Sequence, residues 1–117
     1  MALRCLLVDD SSAFLEAAKA ALSGDGLQVV GSASTGAEAV ALVDELSPDV
    51  VLVDIDLGDE SGFDVVLLLP NTVPAILIST HLEDEFADMI EASPAIGFVS
   101  KSALTVDAVT KLVAASG

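Results

Sequence analysis

Carboxylate, hydroxyl and ammonium side chains stand at or just after the ends of four short apolar runs in this chain. They are Asp9, Asp10, Asp54, Ser79 and Lys101. Short apolar runs that alternate with helical patterns are typical of buried parallel strands, and an open parallel sheet binds ligands at the carboxyl ends of its strands. We therefore expect these five side chains to share one edge of a sheet. Together they suit a divalent metal ion and a phosphoryl group.

The apolar pattern places those side chains on alternating strands and helices. It predicts five strands, at Leu3–Val8, Leu27–Gly31, Val50–Asp54, Ala75–Ser79 and Ala95–Val99. A helical pattern follows each of them. Asp10, Ser11 and Ser12 are cap residues for the first helix, and Thr35 with Glu38 has the capping-box spacing that starts the second. This alternation predicts an α/β fold with a doubly wound parallel sheet, in one domain covering residues 1–117.

The fourth and fifth helices are predicted from apolar stripes. Inward-facing residues of the fourth helix are predicted to be Leu82, Phe86, Met89 and Ile90, and those of the fifth Val106, Val109, Leu112 and Val113. Between Gly62 and the fourth strand the segment Val65–Leu69 is apolar on all sides. One face of that segment should remain exposed unless something covers it.

Composition limits the classes of function. With 117 residues, 53% of them hydrophobic, the chain is long enough and apolar enough to fold around a core. No apolar run approaches the roughly 18–20 residues of a membrane span, and the N-terminus has no signal-peptide pattern, so we expect a cytoplasmic protein without membrane contact. Cys5 is the single cysteine, which excludes an internal disulfide and predicts a core residue.

The charge of the chain is strongly negative. Nineteen acidic residues against four basic ones give a formal net charge of −15. Direct nucleic-acid binding is not expected, because it requires Lys and Arg to neutralise phosphates. The acids fit a plain solvated surface, a surface for a basic protein partner, or adaptation to a salty interior.

With residues and order in place, the chain resembles the receiver domain of two-component response regulators over essentially its whole length. That family carries an acidic pair after strand one, a phosphoacceptor Asp at the end of strand three, Ser or Thr at the end of strand four and Lys after strand five. The matching residues are Asp9, Asp10, Asp54, Ser79 and Lys101. Asp54–Leu57 followed by Gly62 resembles the acceptor loop of the family, and Gly97–Lys101 its strand-five signature. The resemblance implies a flavodoxin-like (β/α)5 sheet, and the short stretch between Gly62 and strand four predicts a shortened third helix.

The resemblance also implies a signalling chemistry. Asp54 would accept a phosphoryl group from a histidine kinase or a phosphotransfer protein in a phosphorelay, and the aspartyl phosphate would hydrolyse slowly with the domain's own help. Mg²⁺, with Mn²⁺ as the alternative, would be held by Asp10, Asp54 and the backbone carbonyl of Asp56, with Asp9 bound directly or through water. Lys101 would pair with one phosphoryl oxygen and Ser79 would donate a hydrogen bond to another.

The same family carries an aromatic switch at the position of Phe98. Ser79 would move toward the phosphoryl group, and Phe98 would rotate inward and reshape the face of helix four, strand five and helix five. A downstream protein or a fused output domain would read that face. A plain core role for Phe98 is the alternative. Three further residues, Asp56, Thr80 and His81, stand where relatives modulate the lifetime of the phosphoryl group.

The sequence departs from the family pattern at several positions. Gly58 stands where most relatives carry Pro, which predicts a less rigid loop. Thr80 stands where a smaller residue is common, and its methyl group is expected to narrow the path to Asp54. The segment between Phe63 and Pro74 is shorter than the usual helix and loop. We hypothesise that it mediates contact with a second copy, as a homodimer, or with a partner.

Three rival interpretations were weighed. Asp54-Ile55-Asp56 matches the nucleophile motif of haloacid-dehalogenase-like phosphatases, but those enzymes carry it on the first strand. An EF-hand calcium loop starting at Asp54 fails, because Asp59 occupies the glycine position and Val65 the final glutamate position. The third is a receiver-shaped interaction module that is never phosphorylated, and the presence of all five site residues argues against it.

Overall fold

The computed structural model describes residues 2–22, 26–80 and 86–116. In these ranges the principal strands are β1 Leu3–Val8, β2 Leu27–Ala33, β3 Val50–Asp54, β4 Ala75–Ser79 and β5 Gly97–Ser100. The α-helices are α1 Ser12–Leu22, α2 Gly36–Leu46, α3 Gly62–Leu68, α4 Ala87–Ala92 and α5 Val106–Ser116. Their strict alternation confirms the sequence prediction.

The five strands form one parallel sheet in the order β2-β1-β3-β4-β5. The order reverses between β1 and β3, as in a doubly wound fold, and this is where such folds bind ligands. Val8 pairs with Val53, and Asp54 pairs with Ile78 on the other side. The carboxyl ends of the central strands are therefore level, and this brings the strand-end residues to one edge.

Helices cover both faces of the sheet and create two apolar cores. One core lies under α1 and α5, the other under α2, α3 and α4. β3 and β4 are buried at every position, as expected of strands packed on both faces. Each fully buried Val, Leu or Ile stabilises the fold by about 1.5–3 kcal/mol relative to an exposed one. Cys5 belongs to the first core, as predicted, and burial raises the pKa of its thiol to about 12.

Local hydrogen bonds fix where the helices begin. The Thr35 hydroxyl accepts from the Glu38 N–H at 3.2 Å, and the Glu38 carboxylate accepts from the Ser34 N–H at 2.7 Å. The predicted capping box therefore forms, with its return bond displaced by one residue. Of the three predicted cap residues of α1, Ser11 is the one whose hydroxyl accepts from a helix N–H, that of Phe14 at 3.3 Å.

Some predicted boundaries and one predicted face were wrong. β2 continues to Ala33, and β5 runs from Gly97 to Ser100 because its ladder with β4 starts where Gly97 meets Ile76. Met89 was predicted to face inward, yet it is 51% exposed. Phe86 and Ile90, one turn apart, pack against the core instead and turn Met89 outward. Leu82, predicted in the same stripe, lies outside the described residues.

The third helix is short, as the sequence predicted. α3 has seven residues, and the Ser61 hydroxyl caps it by accepting from the Phe63 N–H at 3.2 Å. Val65 and Val66 are buried, whereas Leu67 and Leu68 are 68% and 60% exposed. The predicted exposed face of this apolar segment is therefore present.

Among the described residues, every helix is too short or too polar to cross a lipid bilayer.

Candidate functional site

Three carboxylates meet at the carboxyl edge of the sheet. Asp9 and Asp10 follow β1, Asp54 ends β3, and the pairing of Val8 with Val53 places Asp9 level with Asp54. One oxygen from each of the three carboxylates lies within 4.8 Å of the others. Asp9 and Asp54 are buried and Asp10 is exposed. The cluster is therefore buried on the side of Asp9 and Asp54 and open to solvent on the side of Asp10.

Lys101 extends into this cluster from the turn after β5. Its Nζ lies 2.6 Å from Oδ2 of Asp9 and 3.2 Å from Oδ2 of Asp54. The ring of Phe14, on the first turn of α1, lies 4.1 Å from the same Nζ. A cation over an aromatic face is attracted to it, so Phe14 helps to hold the ammonium group in place. Sequence reasoning did not assign this role to Phe14, because no sequence pattern reports the distance between α1 and β5.

Backbone N–H groups orient the two buried carboxylates. Oδ1 of Asp9 accepts from the Ser11 N–H at 2.8 Å, and Oδ1 of Asp54 accepts from the Asp56 N–H at 3.2 Å. The second oxygen of each group then faces Lys101. Within the described part of the chain, Oδ2 of Asp9 is buried and receives no well-angled hydrogen bond, so its contact with Lys101 is an ion pair. The cationic partner of this oxygen in the metal-free structure is therefore Lys101.

The electrostatic environment shifts the pKa of two groups. Burial, and then the charge of Asp9, raise the pKa of Asp54 above its usual value, although the Asp56 N–H and Lys101 act in the opposite direction. Burial alone would lower the pKa of Lys101, but its close contact with Asp9 and the charges of both carboxylates raise it overall. The protonated form of Lys101 is therefore favoured, whereas ionisation of Asp54 costs free energy in this fold.

The other predicted site residues take the following positions. Ser79 is buried at the end of β4, one residue beyond the partner of Asp54. Phe98 pairs with Leu77 in the sheet and packs against the core under α2, α3 and α4. Thr80 and Asp56 are exposed beside the site. His81 lies outside the described residues, and the narrowing of the path by Thr80 stays a prediction.

A small hairpin shapes the loop after Asp54. Residues 56–57 pair with residues 60–61 in antiparallel fashion, and Gly58 turns between them with φ +72°. Gly62 then returns to the end of β3, where its N–H donates to the Ile55 carbonyl at 2.7 Å. A Cβ atom at Gly62 would lie 2.8 Å from the Asp54 carbonyl carbon and from Ile55 Cα, too close for any side chain. Glycine is therefore required at this position.

Glu60 ties this hairpin to α2. Its Oε1 accepts from the Gly36 N–H at 3.0 Å, at the first residue of the helix. A carboxylate is favoured there because the N-terminus of a helix carries partial positive charge. Sequence analysis missed this contact, since the two residues are 24 positions apart and neither belongs to a recognisable motif.

The donor set fits a hard divalent cation. Carboxylate oxygens are the preferred ligands of Mg²⁺ and Mn²⁺, whereas zinc sites usually include His or Cys. Three ionised carboxylates and one ammonium group leave two negative charges, which one divalent cation neutralises. Asp9, Asp10 and Asp54 are the residues that would hold it, at an edge open to solvent on the side of Asp10.

Known proteins share this sequence pattern. The sequence profile of the response regulator receiver domain matches residues 5–113. A protein-glutamate methylesterase/protein-glutamine glutaminase of Methanosarcina acetivorans is 36% identical over 105 residues, which are 86% of this chain and 30% of that protein. The response regulator GacA of Pseudomonas viridiflava is 32% identical over 105 residues, 86% of this chain and 49% of that protein. The chain thus spans half or less of the length of these curated relatives.

Solved structures share the fold. The signal receiver domain of a Mycobacterium tuberculosis response regulator, NarL, is 30% identical and superposes with a TM-score of 0.83 over 97% of both chains. A LuxR-family response regulator from Aurantimonas sp. SI85-9A1 is 26% identical, with a TM-score of 0.89 over 98% of this chain and 87% of that one. The profile match, the sheet order and the acidic cluster agree, and the chain belongs to the response regulator receiver domain family.

Proposed function

We propose that this receiver domain accepts a phosphoryl group on Asp54 within a two-component phosphorelay. One observation carries the proposal: a buried Asp54 carboxylate lies beside two further carboxylates and 3.2 Å from the Lys101 ammonium group. A nucleophile, a cation site and a fixed positive charge are the parts that phosphoryl transfer requires. The donor would be the phosphohistidine of a histidine kinase or of a phosphotransfer protein, in the cytoplasm.

In the transfer step, a carboxylate oxygen of Asp54 attacks phosphorus. The P–N bond to the donor imidazole breaks, its electron pair leaves with the imidazole, and a mixed anhydride of Asp54 forms. Bound Mg²⁺ would neutralise negative charge on the phosphoryl oxygens. Lys101 would move from the carboxylates to one phosphoryl oxygen, a short displacement because Asp9 and Asp54 already place its Nζ beside the acceptor. The backbone carbonyl of Asp56 is proposed as a further metal ligand.

Ser79 and Phe98 are proposed to report the phosphoryl group to the surface. Side chains on a strand alternate between faces, so Ser79 shares a face with Leu77, and Leu77 pairs with Phe98. A movement of the Ser79 hydroxyl toward a phosphoryl oxygen would therefore change the space available to the Phe98 ring. We propose the surface of α4, β5 and α5 as the output face for a downstream protein or a fused output domain.

Hydrolysis of the aspartyl phosphate is proposed as the domain's own activity, which makes it a timed switch rather than a metabolic enzyme. Water must reach phosphorus from the open side of the cluster. Asp56 and Thr80 are exposed next to that side, which supports their proposed effect on lifetime. His81 is proposed for the same role from its sequence position.

Intact-mass measurement after treatment with a small phosphodonor tests the proposal. We expect one phosphoryl group per chain with Mg²⁺, and strongly reduced labelling in EDTA. Asp54→Asn should abolish labelling, while the matched control Asp59→Asn, an exposed acid of the same loop, should label like the wild type. Asp56→Asn should still label, with a changed lifetime. Equal labelling of wild type and Asp54→Asn refutes the assignment.

The same experiment separates the rival functions. A receiver-shaped interaction module that is never phosphorylated would show no labelling in any variant. A phosphatase would instead release many equivalents of phosphate from a generic phosphate ester.

A further inference from the structure

The exposed large apolar side chains gather on one surface of the described residues. They are Val40, Leu67, Leu68 and Met89. Leu67 and Met89 line one shallow groove, and Leu68 and Val40 line the next. Leu67 and Leu68 are consecutive on α3, so the two grooves lie on either side of this helix, one toward α4 and the other toward α2. We call these four residues the apolar strip.

The short third helix is the cause of this exposure. Val65 and Val66 turn inward and fill the core, so the next two residues of α3 turn outward. A surface helix of a soluble protein usually carries polar residues there, and clustered exposed apolar side chains mark interaction sites. Leu67 and Leu68 remain 68% and 60% exposed, so neither α2 nor α4 covers them.

The border of the strip is acidic. Asp44 lines the groove of Val40 and Leu68. Asp64 precedes Leu67 and Leu68 by one turn of α3, and helical residues three or four apart are neighbours. Asp88 precedes Ala92, which lines the groove of Met89, by one turn of α4.

Three of the four basic residues of the chain lie away from the strip. Of the four in the sequence, Arg4 is on β1, Lys19 on α1, Lys101 at the carboxylate cluster and Lys111 on α5. Arg4 is bonded to the carbonyls of Leu46 and Ser47. Ser47 also lines the groove of Val40 and Leu68, so the Arg4 guanidinium lies at one end of that groove, while the three acids border the rest of the strip.

We propose that the apolar strip binds an amphipathic helix of another protein or domain, one that carries Lys or Arg beside its apolar face. Apolar side chains of the helix would fill the two grooves, and its basic residues would meet Asp44, Asp64 and Asp88. A second copy of this chain is the poorer occupant. In an isologous dimer the acidic border of one copy would lie near the acidic border of the other. The two borders would repel each other, and so would the two chains, each with a formal charge of −15.

This surface is present before any chemistry at Asp54, although α4 also belongs to the proposed output face. It lies on α2, α3 and α4, and none of its residues contacts the carboxylate cluster in the described structure. Binding here is expected with or without Mg²⁺ and without a phosphodonor.

Selection from a displayed library of helical peptides of about four turns tests the proposal. The full chain is the bait, and the Leu67→Gln/Leu68→Gln variant is used for counter-selection, with circular dichroism to check that it folds. We expect surviving peptides to have apolar residues at helical spacing flanked by Lys or Arg, and to bind wild type at least about tenfold more tightly than the variant. Chemical-shift mapping on wild type should place them on α2, α3 and α4.

Charge variants provide the second arm. Asp64→Asn/Asp88→Asn should weaken a selected peptide about threefold at low salt, and the matched pair Glu16→Gln/Asp107→Asn, on α1 and α5, should not. Any one of three results would overturn the proposal. The first is that the surviving peptides are acidic or uncharged, and the second is that no peptide distinguishes wild type from the leucine variant. The third is that sedimentation shows a wild-type dimer that the leucine variant abolishes.

Discussion

The Asp54 carboxyl group is stabilised in its neutral form by the metal-free fold. Burial and the nearby charge of Asp9 raise its pKa, and Lys101 only partly compensates. Since the folded-state pKa lies above the unfolded one, the ionised group destabilises the fold at neutral pH. That destabilisation disappears as pH falls through the raised pKa.

A neutral residue at position 54 should therefore stabilise the metal-free protein. In EDTA at pH 7, urea denaturation should give Asp54→Asn a larger free energy of unfolding than wild type. The difference should shrink as the pH is lowered through the raised pKa, because wild type then becomes neutral too. Asp59→Asn, on an exposed residue, should show no such trend. An Asp54→Asn variant that is less stable than wild type at pH 7 would contradict this account.

At the scale of elements, the hairpin after β3 depends on the backbone of Gly58. Its φ of +72° is open to Gly and tolerated by Asn, whereas proline is fixed near about −65°. The proline that relatives carry therefore cannot enter this hairpin without rebuilding it. The expectation of a less rigid loop stays a prediction, whereas the positive φ of Gly58 is a feature of this structure.

Two substitutions at this turn should differ in their effect on Mg²⁺ affinity. We expect Gly58→Asn to weaken Mg²⁺ binding less than proline does, because Asn tolerates left-handed backbone, although its Cβ would lie 3.3 Å from Oδ2 of Asp10. Gly58→Pro should lower the affinity about tenfold or more, because the hairpin that positions Asp56 must change. Isothermal titration calorimetry measures both. Pro and Asn variants of equal affinity would show that the hairpin does not shape the metal site.

The contact between Glu60 and α2 should position the same loop. Glu60→Gln removes the negative charge at the N-terminus of α2 and should cost about 0.5–1 kcal/mol of unfolding free energy. It should also weaken Mg²⁺ binding, because the neutral amide oxygen of Gln accepts from the Gly36 N–H less strongly than the carboxylate does. Glu45→Gln, an exposed acid on α2, is the control and should change neither quantity. If the two variants have equal unfolding free energies and equal Mg²⁺ affinities, Glu60 does not position the metal site.

At the scale of the whole molecule, the charge of −15 makes the fold sensitive to all cations. Binding of Mg²⁺ at a specific site should stabilise the protein beyond the general screening of its negative charge by salt. At equal ionic strength, MgCl₂ should stabilise the protein more than NaCl, by about 2.7 kcal/mol when free Mg²⁺ is 100 times its dissociation constant. Asp10→Asn should reduce that excess without altering the NaCl effect. Identical curves for the two salts would mean that the acidic cluster holds no specific cation.

Much of the fold and of the site arrangement was readable from the sequence. The strands β1, β3 and β4 were predicted to the residue, because each contains an apolar run that ends at a polar residue. Their order in the sheet then follows from the resemblance to receiver domains, and level strand ends bring Asp9 and Asp54 together. The roles assigned to the site residues remain predictions.

What the sequence could not provide were contacts set by tertiary packing. Met89 looked like a core residue by spacing, but Phe86 and Ile90 occupy the core instead. The ring of Phe14 over Lys101 and the bond from Gly36 to Glu60 join distant parts of the chain. No local pattern encodes either distance, since both depend on how helices settle on the sheet.

Locating the phosphorylated residue tests the central claim most directly. Borohydride reduces an aspartyl phosphate to homoserine, so treatment with a small phosphodonor and Mg²⁺, then borohydride, marks the acceptor covalently. Tandem mass spectrometry of the peptides should find homoserine at position 54 and aspartate at positions 9, 10 and 56. Homoserine at another position, or none under conditions that phosphorylate a known receiver domain, would contradict the account.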